Sequence, residues 1–257
     1  MNLQKALNRT VYASLFIQIT TGLIDIYVLT VPVAAEFSIL KKLLGIEIFV
    51  QIIEGSFYTW FARNIHSIKN VTPTRYFDWM ITTPTMLYTL CVYLDFINAK
   101  SNVKHKKDDE MDMADVADMA DIEQPFVTDN KPKQYTLIDS FKTNAIYLIP
   151  IFLLNWAMLI FGYLGELQVI PNAVAVALGF IPFVWYFAII YNQYAKYTQI
   201  GQVILGVFSG IWFLYGVAAL MSYYWKNIMY NVLDLFAKNF FGLFLAHVIY
   251  QQYKINI

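Results

Sequence analysis

Charge is scarce in this sequence. Lys and Arg together number 18 and Asp and Glu 18, so 14% of the 257 residues are charged and the formal net charge is zero. A soluble domain carries roughly 25% charged residues. The shortage is sharper than the total suggests, because ten of the eighteen carboxylates fall between residues 108 and 139. This excludes a soluble globular enzyme, a disordered chain and a nucleic-acid binder with a basic face. Cysteine is nearly missing too: Cys91 stands alone, so no internal disulfide forms. His66, His105 and His247 share no ligand spacing, and no metal site is expected. Neither a glycine-rich phosphate loop nor a triad-like arrangement is present, so an enzyme is not expected either.

Apolar residues are abundant: 58% of the chain is hydrophobic, 18% is aromatic, and the mean hydropathy is +0.49. Crossing about 30 Å of hydrocarbon takes about 20 mostly apolar residues. Seven runs qualify, at roughly 10–31, 43–62, 76–97, 144–165, 170–192, 201–224 and 228–253. They are continuous rather than alternating, which makes them helices and not barrel strands. The expectation is an all-α membrane protein, a single seven-transmembrane-helix bundle over residues 1–257, multi-pass in the lipid bilayer of a host or cell membrane. The first ten residues show no cleavable signal pattern, so the first span is expected to stay. With the N-terminus outside, the inner segments hold eleven lysines and the outer ones six basic residues. That bias predicts an extracellular N-terminus and a cytoplasmic C-terminus. The connection at 98–143 opens basic and turns acidic, with Asp112, Asp115, Asp118 and Asp121 recurring every third residue. It reads as a solvated, mostly disordered cytoplasmic linker; a calcium loop needs a central Gly and a closing Glu that do not fit here.

A charge at the centre of a membrane helix costs at least ~2.5–3.5 kcal/mol, so each one marks a functional position. Asp25, Glu47, Glu54, Asp78, Asp234 and Lys238 all fall inside the spans. Asp234 and Lys238 are one helical turn apart and share a face. A charged amine at that depth needs a neighbouring carboxylate, or conversion to a Schiff base with an aldehyde. A structural ion pair accounts for the spacing equally well.

The third span reads Arg75-Tyr76-Phe77-Asp78-Trp79, followed by Thr82-Thr83-Pro84. It resembles the third helix of the microbial (type 1) rhodopsins, R-Y-x-D-W-x-x-T-T-P. The last span, with Asp234 and Lys238 ahead of an apolar run containing Gly242, resembles that family's seventh helix. Trp212 and Tyr215 in the sixth span are similar to its W-x-x-Y pocket motif. The resemblance implies all-trans retinal covalently bound to Lys238 as a Schiff base, with Asp78 and Asp234 as counterions and Arg75 organising the extracellular side. It also implies that Trp79, Thr83, Met86, Trp212, Tyr215 and Ala237 line the polyene, and flat aromatic faces suit a conjugated cation. There are two departures. Gly216 stands where Pro often follows the pocket tyrosine, so the sixth helix is expected to bend differently. Ala219 stands where a second pocket tryptophan is expected, leaving that end of the pocket more open.

The family includes pumps, channels and sensors, so the fold does not decide the function. Asp78, Thr82 and Thr89 lie on one face of the third span. In pumps resembling bacteriorhodopsin the last position is a carboxylate; Thr89 cannot serve in that way, and Asp95 lies nearly two turns further on. Sodium pumps look like Asn-Asp-Gln here and chloride pumps lack the first Asp; neither pattern is present. Four spans carry polar stripes at 4-3-4 spacing: Ser14, Gln18, Thr21 and Asp25; Glu47, Gln51, Glu54 and Tyr58; Asp78, Thr82, Thr85 and Thr89; Asn227, Asn231, Asp234 and Lys238. Such a set lines either a wet path or an interior hydrogen-bond network. Glutamates on the second span resemble those of channelrhodopsins, and the combination is most similar to the viral rhodopsins of large algae-infecting viruses. The expected function is a retinal photoreceptor acting as a light-gated channel for monovalent cations or protons. Its path would run along Arg75, Ser14, Gln18, Glu47, Gln51, Glu54, Thr82, Thr89, Asn227 and Asn231. The alternatives are a light-driven outward proton pump and a photosensor signalling through the cytoplasmic loop. A homo-oligomer is compatible with the sequence, and no nucleic-acid partner is expected.

Overall fold

The structure is a computed structural model that describes residues 2–117 and 136–255, with the backbone alone for 102–117 and 255. Among the described residues every regular element is helical. The first four membrane helices are α1 (Leu3–Thr30), α2 (Ser38–Asn64), α3 (Thr72–Ala117) and α4 (Leu137–Glu166). Then come α5 (Asn172–Ile190), which runs into a π-helical turn at Tyr191–Ala195, and α6 (Gln199–Ala219). The last helix, α7, is continuous through Tyr223–Asp234, a π-helical turn at Leu235–Asn239, and Phe240–Ile255. Apart from the stretch between α3 and α4, short connections make successive helices antiparallel neighbours. Each packs on the next, and α7 closes the ring against α1.

The ends are fixed by local chemistry. Asn2 Oδ1 accepts the Lys5 N–H, Thr136 Oγ1 that of Asp139 and Thr198 Oγ1 that of Gly201, each satisfying a helix donor that has no partner within the helix. Two expectations need correction. The sixth span does not reach residue 224: α6 stops at Ala219, residues 220–222 form the turn, and Ser222 precedes α7. Leu220 and Met221 keep that turn apolar, which hides it in a hydropathy reading. The connection at 98–143 is also largely not a linker, because α3 continues as helix through Ala117 and α4 begins at Leu137. No Gly or Pro lies between Pro84 and Pro125, so nothing local stops the helix where the membrane run ends. Residues 118–135 lie outside the described residues, and so do the side chains of the aspartate repeat.

The outer surface is apolar. Phe16, Ile146 and Trp185 are 72%, 75% and 61% exposed, as lipid-facing side chains should be. Six of the seven helices are long and apolar enough to cross a membrane by length and composition. The seventh is α2, whose Glu47, Gln51 and Glu54 lower its hydropathy; all three point inward and are buried. The protein is an integral, multi-pass membrane protein. Toward the face where α1 ends, the interior is apolar, built from Leu40, Leu43 and Leu44 of α2 against Leu90, Leu94, Ile190, Phe208, Leu245 and Ile249. Toward the face where α1 begins, the polar residues of α1, α2, α3 and α7 meet inside the ring.

Candidate functional site

Proline sets the geometry of α3. Pro84 has no N–H, so the carbonyl of Met80, four residues back, loses its helical donor. Trp156 of α4 supplies a replacement, its indole N–H reaching the Met80 oxygen at 2.9 Å. One position earlier, Asn155 donates to Thr83 Oγ1 at 2.7 Å. These bonds tie α3 to α4 and hold the Asp78–Thr83 turn in place.

α7 is opened by one residue where it carries Lys238. The Phe240 N–H bonds to the Leu235 carbonyl, an i+5 closure; single π turns of this kind gather at functional positions. Lys238 is 2% exposed, and three carboxylates from three helices surround its amine. Asp78 Oδ2 is at 2.8 Å, Asp234 Oδ1 at 3.7 Å and Glu54 Oε1 at 3.7 Å. Their environments differ. Asp234 accepts from Tyr58 and Tyr215 at 2.8 Å each and from Arg75 at 3.2 Å. Asp78 Oδ1 and both oxygens of Glu54 have no hydrogen-bond partner.

Arg75 is fully buried. Its guanidinium donates to Asn227 Oδ1 at 3.1 Å, to Asn231 Oδ1 and to Asp234, and lies against the rings of Phe57, Tyr58, Phe61 and Tyr230. The asparagines are anchored in turn: Asn227 donates to Thr72 at 3.0 Å, Asn231 donates to Thr10 at 2.8 Å, and the Asn231 carbonyl accepts from Ser14 at 3.1 Å. Beyond Lys238, Thr21 donates to Asn239 Oδ1 at 2.7 Å and Gln51 donates to Asp25 Oδ2 at 2.6 Å. Ser14, Gln18, Thr21, Asp25, Glu47, Gln51, Glu54, Asp78, Thr82, Thr89, Asn227, Asn231, Asp234 and Lys238 are all buried. Thr85 sits at the edge of its stripe, half-buried, and turns its hydroxyl to the Ile81 carbonyl at 2.7 Å.

An apolar, partly open cavity lies on the other side of Lys238. Trp79, Thr83, Met86, Trp212, Tyr215, Ala237 and Lys238 all face it. The sequence reading missed the far wall, Met158, Leu159 and Gly162 of α4 with Val176, Gly179, Phe180 and Phe183 of α5. Those helices are apolar on every side, so no periodicity marks a pocket face; only the isolated glycines gave a signal. A Cβ on Gly162 would stand 2.6 Å from the Tyr76 hydroxyl, and one on Gly216 would stand 2.5 Å from Phe180 Cζ. Both glycines let the far end of an aromatic side chain come up against a helix and shape the cavity.

A family model described as bacteriorhodopsin-like protein matches residues 6–252. The chain belongs to this family. Members of the bacteriorhodopsin-like family normally bind retinal. Among solved structures, the fold is similar to that of the viral rhodopsin OLPVRII, with 24% identity, 95% of this chain and 98% of that one covered, and a TM-score of 0.71. A blue light-absorbing proteorhodopsin from Med12 gives 17% identity, 98% and 99% coverage and a TM-score of 0.66. Acetabularia rhodopsin I gives 16% identity, 96% coverage of both chains and a TM-score of 0.65. No curated protein matches the chain in sequence. The residues of this rhodopsin-family chain fit retinal on their own chemistry: a long apolar slot, rings along its sides, and at its inner end a buried primary amine beside carboxylates. A further buried pair escaped the sequence reading. Lys226 at the start of α7 lies 2.6 Å from Glu166 at the end of α4, 60 residues away in sequence.

Proposed function

We propose that this chain is a photoreceptor that holds all-trans retinal covalently on Lys238 and acts as a light-gated cation channel. Retinal supplies visible absorption and a light-driven change of shape. Everything else falls to the protein. Asp78, at 2.8 Å with a free second oxygen, is the acceptor for the proton leaving Lys238 Nζ. Asp234 keeps its charge through three donors and holds Arg75 in place. Glu54 feels any change at Lys238 directly, because 3.7 Å separates them.

One observation carries the channel reading: the polar residues of α1, α2, α3 and α7 meet in a single buried string that passes Lys238 through Glu54. The string runs from the Arg75 cluster at the face where α1 begins to Glu47, and there the apolar core around Leu40, Leu43 and Leu44 closes it. A closed, charged, cation-favouring path that touches the chromophore lysine is what a light-opened channel needs. The orientation follows from the lysine bias, with the Arg75 end outside the cell.

A proton pump is the second reading, favoured by the direct Asp78–Lys238 contact. Thr89 argues against it, since its position offers no carboxyl group to return a proton. Adding all-trans retinal to the full-length protein should give a visible band that Lys238→Ala abolishes. Under voltage clamp, photocurrents that reverse with the cation gradient support the channel; currents outward at every voltage overturn it in favour of the pump.

A further inference from the structure

The bundle interior between α1, α2 and α7 contains a concentration of polar atoms with nothing to bond to. Asp25 and Glu47 are both 0% exposed and Gln51 is 5% exposed. Asp25 Oδ1, both carboxylate oxygens of Glu47 and Gln51 Oε1 have no partner. Among the described residues neither carboxylate has an ion pair; the buried cations Lys238, Arg75 and Lys226 are paired elsewhere. Thr89 stands within bonding reach of Glu47, and its hydroxyl also lies 3.1 Å from the Thr85 carbonyl. Two unpaired carboxylates and a spare amide oxygen in a membrane interior are costly unless positive charge joins them.

The backbone makes room for this group. A Cβ on Gly242 of α7 would lie 2.5 Å from Asp25 Oδ2 and 2.6 Å from Gln51 Nε2, and one on Gly22 of α1 would lie 3.2 Å from Gln51 Oε1. Glycine on two of the three helices therefore lets the Asp25–Gln51 pair sit against bare backbone. The pairing fixes direction as well: because Gln51 gives its N–H to Asp25 at 2.6 Å, its oxygen is left as an acceptor. All four unpartnered atoms of these three side chains are thus oxygens, and each is an acceptor wherever it carries no proton.

We infer that Asp25, Glu47 and Gln51 form a binding site for a small monovalent cation, with sodium as its probe. Four free oxygens fall short of the six to eight that calcium takes, and among the described residues no third metal-ligating side chain joins them. A singly charged ion, with the remaining carboxyl group carrying a proton, balances the site. The site is a station on the path proposed above, and it rests on that reading for the ion's way in.

The test uses the full-length protein in detergent, with unfolding followed by tryptophan fluorescence while sodium chloride replaces N-methylglucamine chloride at constant ionic strength. Binding to the folded state alone should leave the midpoint flat well below the dissociation constant and raise it above that by roughly 3–5 °C for each tenfold of sodium. Asp25→Asn and Glu47→Gln should each abolish the rise. Gly242→Ala, which keeps every charge and pushes on the Asp25–Gln51 pair, should shift the rise to at least about tenfold higher sodium. Thr85→Val, outside the site, should leave it unchanged. A flat response in the wild-type protein, or a rise retained in both carboxylate variants, overturns the site; so does calcium acting at lower concentration than sodium. Photocurrents that reverse with the gradient alongside a flat response remove the site and leave the channel. A logarithmic rise without such currents does the opposite.

Discussion

Trp156 and Pro84 form a donor–vacancy pair: the indole N–H of Trp156 reaches, at 2.9 Å, the Met80 carbonyl that Pro84 leaves without a helical donor. No water is available at that depth, so the carbonyl depends on this bond. Trp156→Phe should destabilise the protein by about 0.6 kcal/mol, the average for interhelical bonds in membranes, and by no more than about 1.7 kcal/mol. In a Pro84→Ala background the carbonyl regains its own helix donor, and the same replacement should cost much less. Thermal unfolding of the four proteins gives the coupling; equal costs in both backgrounds would sink the assignment.

Tyr58 and Tyr215 hold Asp234 in different ways. Tyr215 gives one bond to Oδ1, whereas Tyr58 donates at Oδ2, lies within 3.1 Å of Asn231 Oδ1 and within 3.4 Å of Arg75 Nη1. A bond to a charged acceptor is worth about 1.5–3 kcal/mol. Tyr215→Phe should therefore cost about that amount, and Tyr58→Phe more, because Arg75 loses a contact too. Fluorescence-detected melting tests the order. If Tyr215→Phe proves the more damaging, the Arg75 cluster is not the stronger anchor.

The parts of this fold that the sequence made legible are those written at short range. The 4-3-4 stripes put their residues inside, all but the half-buried Thr85, because angular position on a helix follows directly from spacing; the pairing of Asp78 with Lys238 was legible only through the resemblance of the α3 and α7 motifs to the microbial rhodopsins. What crosses the bundle was less visible. Glu54 belongs to the amine's ion-pair shell only because α2 packs opposite α7, and the Glu166–Lys226 pair joins residues with no local pattern between them. α3 outruns its apolar stretch because the charged run that follows, linker-like in composition, contains no Gly or Pro to break the helix. The cavity wall from α4 and α5 stayed hidden because an all-apolar helix has no preferred face in its sequence.

Gly216 follows the pocket tyrosine, and its lack of a side chain admits Phe180, whose ring also packs on Phe183 at 5.4 Å and Phe213 at 5.2 Å. Gly216→Ala would bring a methyl group to 2.5 Å from Phe180 Cζ. The ring must turn, with Phe183 and Phe213 already against it. Overpacking of this kind costs about 1–3 kcal/mol, and the displaced ring should narrow the cavity and slow the uptake of added retinal. Phe180→Leu in the same chain should restore both stability and uptake. If Gly216→Ala takes up retinal at the wild-type rate, the Phe180 ring does not limit the cavity.

Glu166 and Lys226 join the end of α4 to the start of α7 by a 2.6 Å bond between side chains that are each 6% exposed. Removing one partner leaves a buried charge with nothing opposite, a loss of about 3–5 kcal/mol. Removing both leaves none, and apolar replacements of similar volume are often neutral. Lys226→Met should therefore be strongly destabilising, while Glu166→Leu combined with Lys226→Met should return close to wild type. The double variant separates an ion pair that the fold needs from one that it merely tolerates. A double variant as unstable as Lys226→Met alone would show that the charges themselves hold α4 to α7, with packing unable to replace them.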